Sequence, residues 1–415
     1  ICAIQESNWM TDEVLDMLVD KSATNIEQVE QRQAVNYLRD TFWDAKDYGS
    51  IINVKPIDFK FLYKRLEELV NEPKDLFCTL IKIEILEKLP EILLQAKIMC
   101  KTYDVVCTNP PYMGNGGMNG KLKLFIEQNY KEYKSDIYAV FIRRGFDYTK
   151  KNKFCSMVTM QSWMSLSAFS FLREYVINNK CIVNLCHMGD MVLGIAYETA
   201  ATIFRNLCLK DYNAKYLFIE MSDLNESNVP NKFPLEERLT YSKLRNFENV
   251  VGKPICYAMS DKSLEVFSKF DLLGKHLITR EGMTTGSNDL FLRYWFEVDI
   301  NKIAFNKEST LKWFPYNKGG EFRKWFGNQD YVVNWENDGI AIKGFKDITT
   351  GRVRSHNYNG EYAFREGITW SAFSSRGATF RYSPEGFLFD SKGSMGFCDK
   401  KKIYYMNSEC SLAKI

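Results

Sequence analysis

The chain has 415 residues, 45% of them hydrophobic and 26% charged, with a formal net charge of +3. That is the composition of an ordinary globular protein with room for about two or three domains. No apolar run reaches the roughly 18 residues of a membrane span, and no signal peptide is visible, so neither a membrane nor a secretory role is expected. The 11 cysteines are scattered through apolar runs without a C-x-x-C pair, which points to reduced, buried thiols in the cytoplasm.

In chain order, residues 1–4 are apolar and read as the end of a sheet strand. Thr11 is placed to cap a helix over residues 12–19, with acids in its first turn. Residues 27–43 and 58–72 carry apolar side chains at helical spacing, and residues 76–103 are mostly helical with an interruption at Pro90. This region, about 11–100, holds no chemical constellation and reads as a helical insertion flanking a sheet. The run 103–108 (YDVVCT) reads as a buried parallel strand. It ends in Asn109-Pro110-Pro111-Tyr112, and a glycine-rich stretch, 113–120, follows.

Helices are expected over 121–133 and then from a cap at Ser135 through Phe146. Strands are expected over 154–160, 180–188, 200–207 and 214–221, with a polar loop at 162–167 containing Trp163 and a helix over 169–177. Alternation of strands and helices argues for a mainly parallel sheet covered on both faces, with an antiparallel edge where the last strands lack helices between them. Residues 224–234 are polar with two prolines and read as a linker, followed by a mainly helical stretch to 273. After residue 274 strands become short and glycines and aromatics dense. Residues 403–406 look like a strand. The chain starts at Ile1 and not at Met, and we read it as an internal piece of a longer protein.

The tetrad 109–112 suits one chemistry. An exocyclic amine on an aromatic ring is a poor nucleophile because its lone pair is delocalised. Two acceptors that grip its two hydrogens free that lone pair. The Asn109 side-chain oxygen and the Pro110 carbonyl are such acceptors, on a loop stiffened by two prolines that bring no competing N–H. Tyr112 offers a flat face on which an extruded base can stack. The alternative is a proline-rich turn that merely caps a core strand.

These residues resemble a known family. The chain is similar to the PglX-type adenine-specific DNA methyltransferases of BREX phage-defence systems, and more broadly to the γ-ordered N6-adenine methyltransferases. The resemblance is carried by residues 109–112 and by Ser135-Asp136-Ile137-Tyr138 with Phe141. Residues 154–163, 193–204 and 312–320 (KWFPYNKGG) carry it further. It is strongest over about 100–205 and 310–395. It implies an α/β fold: a partial Rossmann-like methyltransferase sheet over 1–222, a connector over 223–273, and an α+β target-recognition domain over 274–415. It also implies a site-specific adenine N6-methyltransferase with S-adenosylmethionine as cofactor, double-stranded DNA as substrate, and further phage-defence subunits as partners.

One departure concerns the cofactor. Gly49 is the only glycine before Gly114, so the family's glycine-rich cofactor turn is absent, and Gln5 or Glu6 is the position that matches the contact with the cofactor's adenine. Tyr197 is the candidate aromatic of the late motif, with a core tyrosine as the alternative. Trp163 is read as a pocket-edge residue, with core filling as its alternative.

The first hundred residues carry about six more acids than bases and the residues after 300 about six more bases, which suits a polyanion-facing C-terminal part. Lys318, Arg323, Lys324, Arg352, Arg354, Arg376 and Arg381 are its candidate DNA contacts. Cys181, Cys186 and His187 form the nearest thing to a metal-ligand cluster, without ligand spacing, and no metal is expected. Two rival functions keep parts of the pattern: an amino-methyltransferase acting on RNA or on a protein glutamine, and a DNA-binding specificity module without catalysis.

Overall fold

The computed structural model describes residues 2–56, 58–71, 76–373 and 379–412. They form two compact units, Ile1–Lys269 and Phe270–Ile415. Among the described residues no helix is long and apolar enough to cross a membrane.

The first unit begins with helices: α1 (Asp12–Leu18), α2 (Asn25–Phe42), α3 (Ala45–Tyr48), α4 (Lys60–Asn71) and α5 (Leu76–Met99). Their apolar faces, including Leu15, Leu38, Leu62, Leu89 and Leu93, meet in a core of their own. Residues 2–7 are irregular, so the apolar start of the chain is not a strand. Thr11 occupies the cap position of α1 without a side-chain capping bond to the backbone, whereas Thr24 and Glu27 form a reciprocal capping box on α2. Pro90 lies inside α5, which continues through it.

The sheet follows. Its strands are β1 (Tyr103–Thr108), β2 (Thr149–Met160), β3 (Cys181–Met188), β4 (Thr199–Arg205), β5 (Asn213–Ile219) and β6 (Thr240–Lys243). Their order is β1-β2-β4-β3-β5-β6. Strands β1, β2, β3 and β5 run one way, and β4 and β6 run against them. The antiparallel edge is β6. A second reversed strand, β4, lies inside the sheet because the link 189–198 is too short for a helical crossover, and β4 returns alongside β3. Strand β1 is an edge strand with Val105 63% exposed, not a buried one.

Helices α6 (Gly120–Asn129), α7 (Ile137–Tyr148) and α8 (Ser170–Asn179) fall between the first three strands. Ile142 and Phe146 of α7 and Leu172 and Val176 of α8 pack on Leu185, Phe204 and Tyr216. Gly145 permits the close approach of α7: a Cβ there would lie 2.8 Å from Cys155 Sγ. A separate, smaller cluster lies on the sheet. Its members are Met188, Val192, Leu217, Ile219 and Leu235, with Leu224 from the expected linker and Leu239 from the stretch after it packed against them. Residues 240–269 contribute β6, α9 (Asp261–Lys269) and the core residues Leu244, Phe247, Val250, Ile255 and Leu264. The connector is thus folded onto the first unit and is only partly helical.

Among its described residues the second unit holds two four-stranded sheets. Its elements in order are β7 (Ile278–Arg280), α10 (Asn288–Phe291), β8 (Leu292–Tyr294), β9 (Trp313–Asn317), β10 (Tyr331–Asn334), α11 (Glu336–Lys343), β11 (Gly367–Thr369), β12 (Arg381–Ser383), β13 (Leu388–Phe389), β14 (Met395–Phe397) and α12 (Ile403–Leu412). The sheets are ordered β13-β9-β10-β8 and β12-β11-β14-β7. Residues 403–406 begin a helix, not a strand.

Candidate active site

Residues 109–112 leave the carboxyl end of β1. Met160 of β2, Thr199 of β4 and Met188 of β3 form one row across the neighbouring strands, so the loops 161–167 and 189–198 open at the same end of the sheet. That end is where open α/β sheets bind ligands. Asn109 and Pro111 are exposed, Pro110 is buried and Tyr112 is half-buried. The tetrad therefore has an inner proline as anchor and a carboxamide facing outward.

Tyr112 is held by rings. It meets Tyr138 edge-on at 6.2 Å and 90°, and Tyr197 at 6.1 Å and 74°. Its hydroxyl donates to Asn109 Oδ1 at 3.0 Å, and burial followed by the neighbouring Tyr197 raises its pKa. Tyr138 is buried, and its hydroxyl pairs with Ser162 Oγ at 2.8 Å. Two aromatic residues from distant parts of the chain thus bracket the motif tyrosine, and Tyr197, 45% exposed, lies at the rim.

The loop after the tetrad is tied down by Asp136. Its Oδ1 accepts from Met113 N–H at 3.0 Å and from Tyr138 N–H at 3.2 Å, and Ile137 N–H donates to the Met113 carbonyl. Asp136 is the N-cap of α7, a role expected of Ser135, whose hydroxyl instead reaches the Ala168 carbonyl. Burial holds the Asp136 carboxyl above its usual range, against three backbone N–H groups that pull it down. The signal for Asp136 was present: an acid directly before an apolar helical run.

Gln5 and Glu6 lie in the irregular N-terminal segment. The Gln5 backbone is paired with the buried Gln95 side chain, and the Glu6 carboxylate accepts from Lys46 N–H at 3.2 Å. Asn8 bonds Asp44, and Asp44 pairs with Lys121 at the start of α6, so this segment is linked to the glycine-rich loop through α3.

Trp163 does not stand at the pocket edge. Its side chain is fully buried and packs on Phe204 at 5.9 Å, so it fills the core and presents no face to a base. In the second unit, Arg381 is also fully buried: its guanidinium bonds the carbonyls of Arg323 and Thr379 and the Ser371 hydroxyl, and burial lowers its pKa to about 10. It is a structural tie and not a surface contact. Lys318 is half-buried over the Tyr331 ring, 5.4 Å from its centroid. Arg323, Arg352 and Arg354 are exposed and Lys324 is half-exposed. Arg376 lies outside the described residues.

His187, noted in the sequence beside two cysteines, has other partners. Its Nε2 lies 3.2 Å from Glu198 Oε2 and its Nδ1 3.0 Å from the Tyr257 hydroxyl.

The site's geometry, an Asn-Pro-Pro-Tyr turn at the carboxyl end of an α/β sheet, coincides with a family match. Residues 19–192 match the model of the Eco57I restriction-modification methylase. The chain is a relative of two adenine-specific methyltransferases. It is 41% identical over 380 residues to PglX of Lacticaseibacillus casei (strain Zhang), covering 86% of this chain and 31% of that protein. It is 36% identical over 375 residues to BrxX of Escherichia coli O9:H4 (strain HS), covering 88% and 30%. It also resembles the type II restriction enzyme and methyltransferase RM.Eco57I of Escherichia coli, at 24% identity over 53% of this chain and 23% of that protein. The chain therefore spans about a third of the length of the first two curated relatives it matches.

Proposed function

We propose that the chain carries the amine-binding side of an S-adenosylmethionine-dependent methyltransferase that modifies the N6 of adenine in host DNA as part of phage defence. The observation that carries this reading is the tetrad itself: an exposed Asn109 carboxamide beside Tyr112, whose ring is bracketed by Tyr138 and Tyr197. The names of the relatives agree with it.

In this reading the target base leaves the duplex and stacks on Tyr112, with Tyr197 at its edge. Asn109 Oδ1 and the Pro110 carbonyl take the two amine hydrogens, which turns the nitrogen lone pair toward the methyl donor. The Tyr112 hydroxyl now on Asn109 Oδ1 either shares that oxygen or yields it to the amine. S-adenosylmethionine supplies the methyl group on a sulfonium, so the transfer depends on position and electrostatics. The residues described fit the reacting side of that cofactor at Asn109. They do not include a glycine-rich cradle for it, and the Glu6 carboxylate is already engaged by Lys46.

The second unit is proposed to hold duplex DNA through its exposed basic residues, Arg323, Arg352 and Arg354, with Lys318 and Lys324 beside them. Such contacts neutralise phosphates and set register more than they read sequence.

The test is a transfer assay on the intact protein as its cell makes it, with unmodified duplex DNA and labelled S-adenosylmethionine. Nucleosides are then analysed by mass spectrometry. N6-methyladenine that disappears in Asn109→Ala is the expected result. DNA binding without transfer would instead mark a specificity module, and label on protein or RNA alone would move the reading to another amine.

A further inference from the structure

We infer that His187 and Glu198 form a positioning pair that holds Tyr197 against Tyr112, an inference that rests on the methyltransferase reading above. His187 stands at the end of β3, and Glu198 directly precedes β4, the strand paired with it. The imidazole is fixed from the core side. Tyr257 bonds its Nδ1, and that tyrosine stacks on buried Tyr216 at 4.8 Å with ring planes 2° apart. Phe218 of β5 lies against the imidazole at 4.8 Å.

A carboxylate oxygen accepts, so the imidazole donates from Nε2 to Glu198 Oε2, and the Tyr257 hydroxyl is the partner of Nδ1. The backbone of Glu198 is held as well, because its carbonyl accepts from Gln161 N–H at 3.3 Å, directly after β2. Glu198 is thus anchored twice, once to β3 and once to the end of β2.

Tyr197, the residue before it, is 45% exposed and meets Tyr112 at 6.1 Å. Its position follows from the anchored neighbour and from that ring contact. A reaction driven by placement tolerates small displacements poorly. An aromatic that borders the base must therefore stand in place before the base arrives, and the His187–Glu198 pair does this from beneath, without touching the base.

The test compares wild type, Glu198→Ala, Glu198→Gln and His187→Ala in the intact protein. The readouts are kcat for transfer to unmodified DNA, Kd for the same DNA, and the thermal midpoint. The two alanine variants are expected to lose roughly tenfold or more in kcat with Kd and midpoint unchanged. Glu198→Gln keeps an acceptor for the Nε2 proton and is expected within about fivefold of wild type. Wild-type kcat in Glu198→Ala would overturn the inference. So would a joint loss of midpoint and DNA affinity in all three variants, which would make the pair structural only. A wild type that transfers no methyl group would remove the underlying reading and this inference together, an outcome distinct from an active wild type with an indifferent Glu198→Ala.

Discussion

In the first unit the motif residues stand at the end of the sheet with a polar side chain outward: Pro110 is buried, and Asn109 is exposed. In the second unit the most conspicuous motif, residues 312–320, is turned inward. Tyr316 is fully buried with its hydroxyl on Asp390 at 2.7 Å, Asn317 bonds Ser383, and Gly319 sits at φ +84° where a Cβ would fall 2.6 Å from the Lys392 carbonyl. Arg381, the most buried of the expected DNA contacts, bonds only to groups of its own unit among the described residues. A short motif thus has two physical meanings. Where the fold leaves its polar side chains exposed, the motif is a candidate site. Where the fold consumes them, it is a frame for whatever lies exposed beside it.

The largest effect that sharpens this contrast is at Asn109. Asn109→Ala should reduce methyl transfer by about a hundred- to a thousandfold, the scale of losing one preorganised polar group, while an exposed side chain leaves the unfolding free energy within about 0.5 kcal/mol. Arg381→Met should do the reverse in the second unit. It strands two carbonyls and a hydroxyl and is expected to cost about 3 kcal/mol in denaturant unfolding, with DNA affinity falling only through the loss of folded protein.

Asp136 lies between these cases, since it serves the fold of the tetrad loop. Asp136→Ala is expected to cost about 1–2 kcal/mol and to lower transfer with it, whereas Asp136→Asn keeps the acceptor oxygen and should be near neutral. The carboxyl's raised pKa fixes the pH sign: the folded state holds its proton more tightly than the unfolded one, so this group's contribution falls as pH rises from 3.8 through the folded value, and Asp136→Asn removes that dependence. Arg323→Ala should leave stability alone and lower the salt dependence of DNA binding by about one counterion, read from affinity against salt concentration.

Lys318 carries the smallest expected effect. Burial depresses its pKa below 10.5, so the unfolded state binds more protons in the window just below that value. Stability should therefore rise with pH across that window in wild type relative to Lys318→Met, measured by urea midpoints. An identical pH response in both would show that the lysine is effectively solvated.

Much of the first unit was legible because its signals are local. Apolar spacing marked α2, α4 and α5, and the apolar run before Asn109 marked β1. Ser135 was preferred to Asp136 as a cap because both residue types suit that position, and only the direction of the chain between the Met113 loop and α7 selects the second. The burial of Trp163 and Arg381 was not legible, because a lone tryptophan or arginine in a polar stretch carries no periodicity that says which way it points. The place of β4 between β2 and β3 is likewise a pairing between segments far apart in the chain.

By itself the sequence determined the local shape of the tetrad, since two prolines restrict a turn through bonds between adjacent residues. It determined the helical lead-in and the change of texture after residue 274 for the same local reason. Only the tertiary structure decided which aromatics flank Tyr112, that Asp136 clamps the loop, that His187 faces Glu198 and Tyr257, and which basic residues of the second unit are exposed. Each of those depends on contacts between residues distant in sequence, and such contacts exist only once the chain has packed.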